Sequence, residues 1–265
     1  MHKYFPALLS LMILSSPLLS QEIREPKNIK LQVDGSDREA LVFFPSKSNT
    51  GAPVVFVFHG HGGSAKGAAK SFAIQKHWPA SVVVYMQGLN TPGKFTDPEG
   101  KKTGWQHKSG EQGDRDLKFF DAMLNHLRKE FQINDDKIYC TGHSNGGGFT
   151  YTLWQTRGDV FAAVAPCASF ELNFNAMPKP CIHFAGEKDP LVKIEWQQKT
   201  IERVKEINGC DTAGKDWSKY CTLYASPKNT PLVACIHPGT HQFPDFAPEL
   251  MVKFFKMHKK LSSTK

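Results

Sequence analysis

The sequence has little of what a fibrous or disordered chain needs. Glycine and proline number 21 and 17 among 265 residues, close to ordinary usage, which excludes a collagen-like repeat and a low-complexity tail. A dense basic run is also missing. The formal charge is +8, but lysines and arginines stand singly or in pairs, apart from a loose group at Lys253, Lys256, Lys259 and Lys260, so no nucleic acid is expected as a partner. No internal repeat is visible, and no segment beyond the first twenty residues is apolar for long enough to span a bilayer. With 40% hydrophobic residues, the chain can bury a full core but is rather long for one small domain and short for two, so one compact domain is the expectation.

The first twenty residues carry Lys3, an apolar run from Tyr4 to Leu14, then Ser15, Ser16 and Pro17, with Ser20 as a small residue before a cut. This is the layout of a secretory signal. A membrane anchor would need an unbroken apolar run, and Pro6, Ser10 and the Ser-Ser-Pro step interrupt this one. The expectation is a signal peptide over 1–20 and a single domain over 21–265. That domain would be secreted, to the periplasm or the exterior, with no membrane association after cleavage. No cysteine lies near residue 20 to accept a lipid.

Six cysteines in an exported chain permit several pairings. Cys210 and Cys221 flank a polar, glycine-containing stretch and are the expected bridge. Cys140, Cys167, Cys181 and Cys235 sit in apolar, strand-like contexts and read as small buried hydrophobes.

Ile29 to Val33 alternates in period two, Asp34-Gly35-Ser36-Asp37 is turn-like and Ala40 to Phe44 is apolar, which predicts an opening antiparallel hairpin. Short apolar runs then recur at Val54 to Phe58, Val82 to Tyr85, Ile138 to Cys140, Phe161 to Ala165, Cys181 to Ala185 and Leu232 to Ile236. They lack alternation, as strands covered on both faces do. Amphipathic stretches separate them. In the clearest, Asp114 to Phe131, the residues Leu117, Phe120, Leu124, Leu127 and Phe131 recur at helical spacing, with acids leading and bases following. Further helices are expected over Ala65 to His77, Asn145 to Gln155, Ile194 to Ile207 and Pro248 to Lys260. The fold class is therefore α/β, a mainly parallel sheet with an antiparallel N-terminal hairpin and helices on both faces. Gln87 to Gln112 is a long polar connection around Trp105, and loops of that length tend to carry function.

Gly142-His143-Ser144-Asn145-Gly146 matches the G-x-S-x-G elbow of α/β-hydrolases, in which a serine is held on a tight turn between a strand and a helix. The pentapeptide alone is short; the strand expected before it and the helix expected after it supply the context it needs. A serine hydroxyl is a weak nucleophile, so it needs a base within reach and an acid to hold that base in the right tautomer. In this fold the acid and then the base follow the serine in the chain. Asp189, just beyond the strand ending near Ala185, is the expected acid, with the neighbouring Glu187 read as a surface residue. The base should follow the last strand, where His237 abuts the strand and His241 lies beyond a Pro-Gly bend; His241 is favoured. The oxyanion would be held by backbone N–H groups of Asn145 and of His61 or Gly62, in the run His59-Gly60-His61-Gly62-Gly63-Ser64. His59 and His61 invite a metal reading, but no third ligand with supporting spacing follows, so neither metal nor cofactor is expected. His77, His107 and His126 read as surface residues.

Taken together, these stretches resemble the secreted feruloyl esterase and polyhydroxybutyrate depolymerase family of α/β-hydrolases, which includes acetylxylan esterases. The resemblance rests on His59 to Ser64, Gly104-Trp105, Tyr139 to Gly147, Phe161 to Pro166, Gly186 to Asp189, Asn208-Gly209-Cys210 and Gly239 to Pro244, and so runs through nearly the whole mature chain. It implies Ser144, Asp189 and His241 as the triad of a serine carboxylic-ester hydrolase. The substrates it implies are small-molecule or oligosaccharide esters carrying feruloyl, acetyl or short hydroxyalkanoate groups.

Phe243 stands where the family usually has tryptophan, and the chain as given carries no C-terminal linker and polymer-binding module. The expectation therefore moves from solid polyester to soluble esters or short plant-wall fragments. Trp105 is a candidate to stack on a feruloyl ring or a sugar, and Phe243 is the other expected substrate contact. The alternatives are a serine peptidase on the same fold and a non-catalytic binding protein with a relict triad.

Overall fold

The structure is a computed structural model that describes residues 1, 25–45 and 51–260. The expected signal peptide over 1–20 therefore lies outside the described residues, apart from Met1.

The opening hairpin is β1 (Lys27–Val33) and β2 (Ser36–Phe43), paired antiparallel with Lys27 opposite Val42 and Val33 opposite Ser36. The buried strands follow as β3 (Ala52–Phe58) and β4 (Val82–Met86), with two short strands, β5 (Leu89–Asn90) and β6 (Thr103–Gly104), pairing inside the long connection. After them come β7 (Ile133–His143), β8 (Ala163–Cys167), β9 (Cys181–Gly186), β10 (Lys215–Ser218), β11 (Cys221–Tyr224) and β12 (Leu232–His237).

Ten of these form one sheet in the order β1-β2-β4-β3-β7-β8-β9-β12-β11-β10. The six strands from β4 to β12 run parallel, and an antiparallel pair closes each edge. The second edge, β10 and β11, is not among the strands expected from the sequence. Its strands are short and mostly half-exposed, so they lack the apolar run by which a buried strand is recognised.

The absence of alternation in β3 has a direct cause. Val54, Phe56 and Phe58 enter one core while Val55 and Val57 enter the other. The first core lies under α3 (Arg115–Glu130), α4 (Asn145–Arg157) and α5 (Ile194–Asn208), which contribute Leu117, Phe120, Phe149, Tyr151, Ile201 and Val204. The second lies under α1 (Ala65–Ser71), α2 (Ile74–His77) and α6 (Ala247–Lys256), which contribute Ala68, Ile74, Met251 and Phe255.

Two helix expectations are corrected. Ala65 to His77 is two helices, because Ala73 takes a left-handed conformation (φ 45°) and the Ile74 N–H turns to the buried Tyr85 hydroxyl at 3.0 Å. The last helix stops at Lys256, and the Lys260 N–H donates to the Asp136 carbonyl at 2.8 Å.

The disulfide expectation is also corrected. Cys221 is bonded to Cys235, not to Cys210. Cys221 and Cys235 face each other directly across β11 and β12. Cys210, just beyond α5, is a free thiol placed 3.9 Å from the Thr230 carbonyl oxygen.

Candidate functional site

Ser144 joins β7 to α4 with φ 56° and ψ −120°, a sparsely populated conformation that an L-residue holds only when its surroundings impose it. The imposing contacts are backbone ones. The Ser144 N–H donates to the Cys167 carbonyl at 2.9 Å, and a Cβ on Gly142 would lie 2.2 Å from the Gly146 carbonyl oxygen. A Cβ on Gly146 would lie 2.3 Å from the Phe58 carbonyl oxygen. Both motif glycines are thus demanded by close approach of neighbouring chain.

Asp189 follows β9 and is 6% exposed. Its Oδ1 accepts the Leu191 and Val192 N–H groups at 2.9 and 2.8 Å, and its Oδ2 accepts the Nδ1–H of His241 at 2.7 Å. With Nδ1 protonated, His241 Nε2 is the acceptor for the Ser144 hydroxyl, 2.8 Å away. Glu187 is exposed. His237 ends β12, buried, with its Nδ1 accepting the Gly239 N–H at 3.1 Å.

His143, inside the serine motif, was given no role in the sequence. Its Nε2–H donates to the His241 backbone carbonyl at 2.7 Å, and the two rings stand 5.0 Å apart. Burial, together with the nearby His241, pushes the His143 pKa down to about 4, so the ring is neutral at pH 7. A histidine adjacent to a serine in such a motif is the only trace of this role in the sequence, since the bond spans 98 residues.

Of the expected oxyanion donors, Gly62 is removed. Its N–H donates to the Thr103 carbonyl at 2.7 Å. The N–H groups of His61 and Asn145 have no acceptor among the described residues, and both residues line the cavity over Ser144. The long connection braces both: Asp97 Oδ2 lies 3.0 Å from His61 Nε2, and the Asn145 amide exchanges hydrogen bonds with the Trp105 backbone at 2.7 and 3.0 Å. The His59 ring is fully engaged, Nδ1–H with the Gly60 carbonyl at 2.7 Å and Nε2 with the Gly88 N–H at 3.0 Å.

The cavity measures about 250 Å³, and Phe95, Phe170 and Leu191 supply much of its apolar wall. Phe95, 49% exposed, reaches from the long connection to stack on Trp196 of α5. The expected substrate contacts are corrected. Trp105 is fully buried, stacked on Phe149 with its Nε1–H on the His59 carbonyl at 2.9 Å. Phe243 packs on Phe72, with ring centroids 3.9 Å apart, and is not part of the cavity wall. His107, read as a surface residue, does line the cavity. Trp105 and His107 could not be sorted by sequence, because the course of the long connection decides which side chains it turns inward.

Solved structures with this architecture are numerous. An acetyl xylan esterase from Aspergillus awamori superposes with a TM-score of 0.67 at 11% identity, covering 87% of this chain and 99% of that one. A ferulic acid esterase from Anaeromyces mucronatus, solved with ferulic acid, gives 0.60 at 12% identity over 92% and 93%. In sequence, feruloyl esterase D of Neurospora crassa is 26% identical over 200 residues, 72% of this chain and 67% of that protein. The chain has the α/β-hydrolase fold and is similar in sequence to feruloyl esterases.

Other feruloyl esterase-like relatives are matched over less of their length: the probable feruloyl esterase C of Aspergillus clavatus is 29% identical over 48% of this chain and 44% of its own. The profile of the Prolyl oligopeptidase family matches residues 97–211 of this α/β-hydrolase, a stretch that contains Ser144 and Asp189 but ends before His241.

Proposed function

We propose that this chain is a secreted serine carboxylic-ester hydrolase in which Ser144, His241 and Asp189 form the catalytic triad. The observation that carries the reading is the continuous hydrogen-bond chain from Ser144 through His241 to Asp189, at 2.8 and 2.7 Å. Ser144 Oγ attacks the ester carbonyl while His241 Nε2 takes its proton. The charge that develops on the carbonyl oxygen is held by the His61 and Asn145 N–H groups. Collapse of the tetrahedral intermediate expels the alcohol, which receives the proton from His241. Water, activated by the same imidazole, then releases the acid. Asp189 keeps Nδ1 protonated and steadies the imidazolium.

A polysaccharide cannot enter a cavity of about 250 Å³, so the acyl half occupies it and the alcohol half lies at the mouth. Feruloyl or acetyl esters of plant polysaccharide, or short hydroxyalkanoate esters, suit that division. A panel of methyl ferulate, acetylated xylan, hydroxybutyrate oligomers and nitrophenyl esters tests the reading, and failure to hydrolyse any of them rejects it.

A serine peptidase reading draws on the match to the Prolyl oligopeptidase profile. The same triad can cleave amides, so paired amide and ester substrates separate the two. Export, proposed from residues 1–20, is checked by N-terminal sequencing of the mature protein. No helix among the described residues is long and apolar enough to cross a membrane.

A further inference from the structure

We propose that Ser169 selects the acyl group, favouring acids that carry a hydroxyl substituent over unsubstituted ones. The proposal rests on the ester-hydrolase reading above and deepens it.

Ser169 is 2% exposed and lines the cavity, yet among the described residues its hydroxyl has no hydrogen-bond partner. A buried hydroxyl left in that state costs free energy that a ligand's polar group can recover. The chain on either side is fastened. Ala168, with φ 47°, donates its N–H to the Phe184 carbonyl at 2.8 Å, and the Glu171 N–H donates to Thr200 Oγ1 at 3.0 Å. The hydroxyl lies against the first turn of α4, where a Cβ on Gly147 would come within 2.6 Å of it. Gly147 therefore provides the space the hydroxyl occupies.

His61 Nδ1 is the other buried polar atom of the cavity wall without a partner among the described residues, while several polar side chains there are committed. His143 serves the His241 carbonyl, the His107 Nε2–H donates to the Pro92 carbonyl at 3.2 Å, and the Lys94 ammonium sits 4.5 Å above the Phe170 ring. Against the apolar surface of Phe95 and Phe170, the Ser169 hydroxyl is a polar point held in fixed position. A site with such a group discriminates between a substrate that can pair with it and one that cannot. The acyl half stays inside the cavity through both chemical steps, so its substituent is the one read. An acetyl group has none to offer.

The test compares two ester pairs on purified wild type and Ser169→Ala: methyl 4-hydroxycinnamate against methyl cinnamate, and methyl 3-hydroxybutyrate against methyl butyrate. In at least one pair, wild type is expected to favour the hydroxylated ester about tenfold in kcat/KM. Ser169→Ala is expected to bring that ratio to about one. A purely structural serine would lower both members together and leave the ratio unchanged; that result, or a wild-type ratio near one in both pairs, overturns the proposal while the esterase reading stands. Hydrolysis of no ester by wild type removes the esterase reading and the proposal with it.

Discussion

His143 donates its Nε2–H to the backbone carbonyl of His241 at 2.7 Å. The residue that precedes the serine therefore holds the residue that hydrogen-bonds the serine. His143 hydrogen-bonds neither Ser144 Oγ nor the His241 ring; in the triad proposed above its role is to position His241 through the backbone.

His143→Leu removes that donor and leaves the His241 carbonyl unpaired. The expected result is a fall in kcat of up to about 100-fold, with KM within about twofold, since a small displacement of the base slows chemistry more than binding. His143→Gln, whose amide retains an N–H donor, recovers much of the loss. A change confined to KM, or a Gln variant no better than the Leu variant, contradicts this role.

Gly104→Ala tests the brace on the oxyanion donors. A Cβ there would lie 2.8 Å from His61 Nδ1 and 2.9 Å from Asn145 Oδ1, so both residues that supply the free N–H groups must shift. A loss in kcat of about 10- to 100-fold is expected, of the size seen when oxyanion stabilisation is weakened. Unchanged steady-state kinetics on nitrophenyl acetate would show that the long connection does not position the donors.

Stability should depend on pH through buried neutral histidines. Burial pushes the pKa of His143, His183 and His258 down from 6.5 to about 4. Between pH 6.5 and 4 the unfolded chain binds protons at these sites that the folded chain refuses, so stability is full above 6.5 and falls as pH drops toward 4. His183, enclosed between the Tyr151 hydroxyl and Gln197, contributes up to about 3 kcal/mol of this loss. Urea unfolding at pH 7 and pH 4 should show a smaller drop in His183→Gln than in wild type, by about that amount. Equal drops would contradict a buried neutral His183.

The disulfide between Cys221 and Cys235, 14 residues apart, should contribute about 3 kcal/mol on the loop-entropy model. Cys235→Ala is expected to lower the midpoint of thermal unfolding, and Cys210→Ala to leave it within a few degrees. Peptide mapping without reductant should recover the 221–235 linkage; a 210–221 linkage would contradict the pairing.

Much of the architecture is legible in the sequence because fully buried parallel strands such as Val54 to Phe58 and Cys181 to Ala185 leave apolar runs that no surface loop would carry. The elbow is legible for a related reason: Gly142 and Gly146 stand where neighbouring backbone leaves no room for a side chain. Asp189 and His241 were placed by their positions after β9 and β12. What failed depends on contacts distant in the chain. The pairing of Cys221 with Cys235 follows from β11, whose four residues are too few and too exposed to announce a strand. Gly62 and Trp105 are both decided by the long connection, which takes the Gly62 N–H with the Thr103 carbonyl and tucks the indole under His59. Ser169 carries no motif, and only the cavity distinguishes it from the other serines.

In the mechanism proposed above, Ser144 is the nucleophile and His241 its base. Labelling of the folded protein with a fluorophosphonate, followed by peptide mapping, tests it most directly. One modified residue is expected, Ser144, with labelling and ester hydrolysis both lost in Ser144→Ala and strongly slowed in His241→Ala. Ester hydrolysis persisting in purified, folded Ser144→Ala, or a label found on another residue, would contradict it.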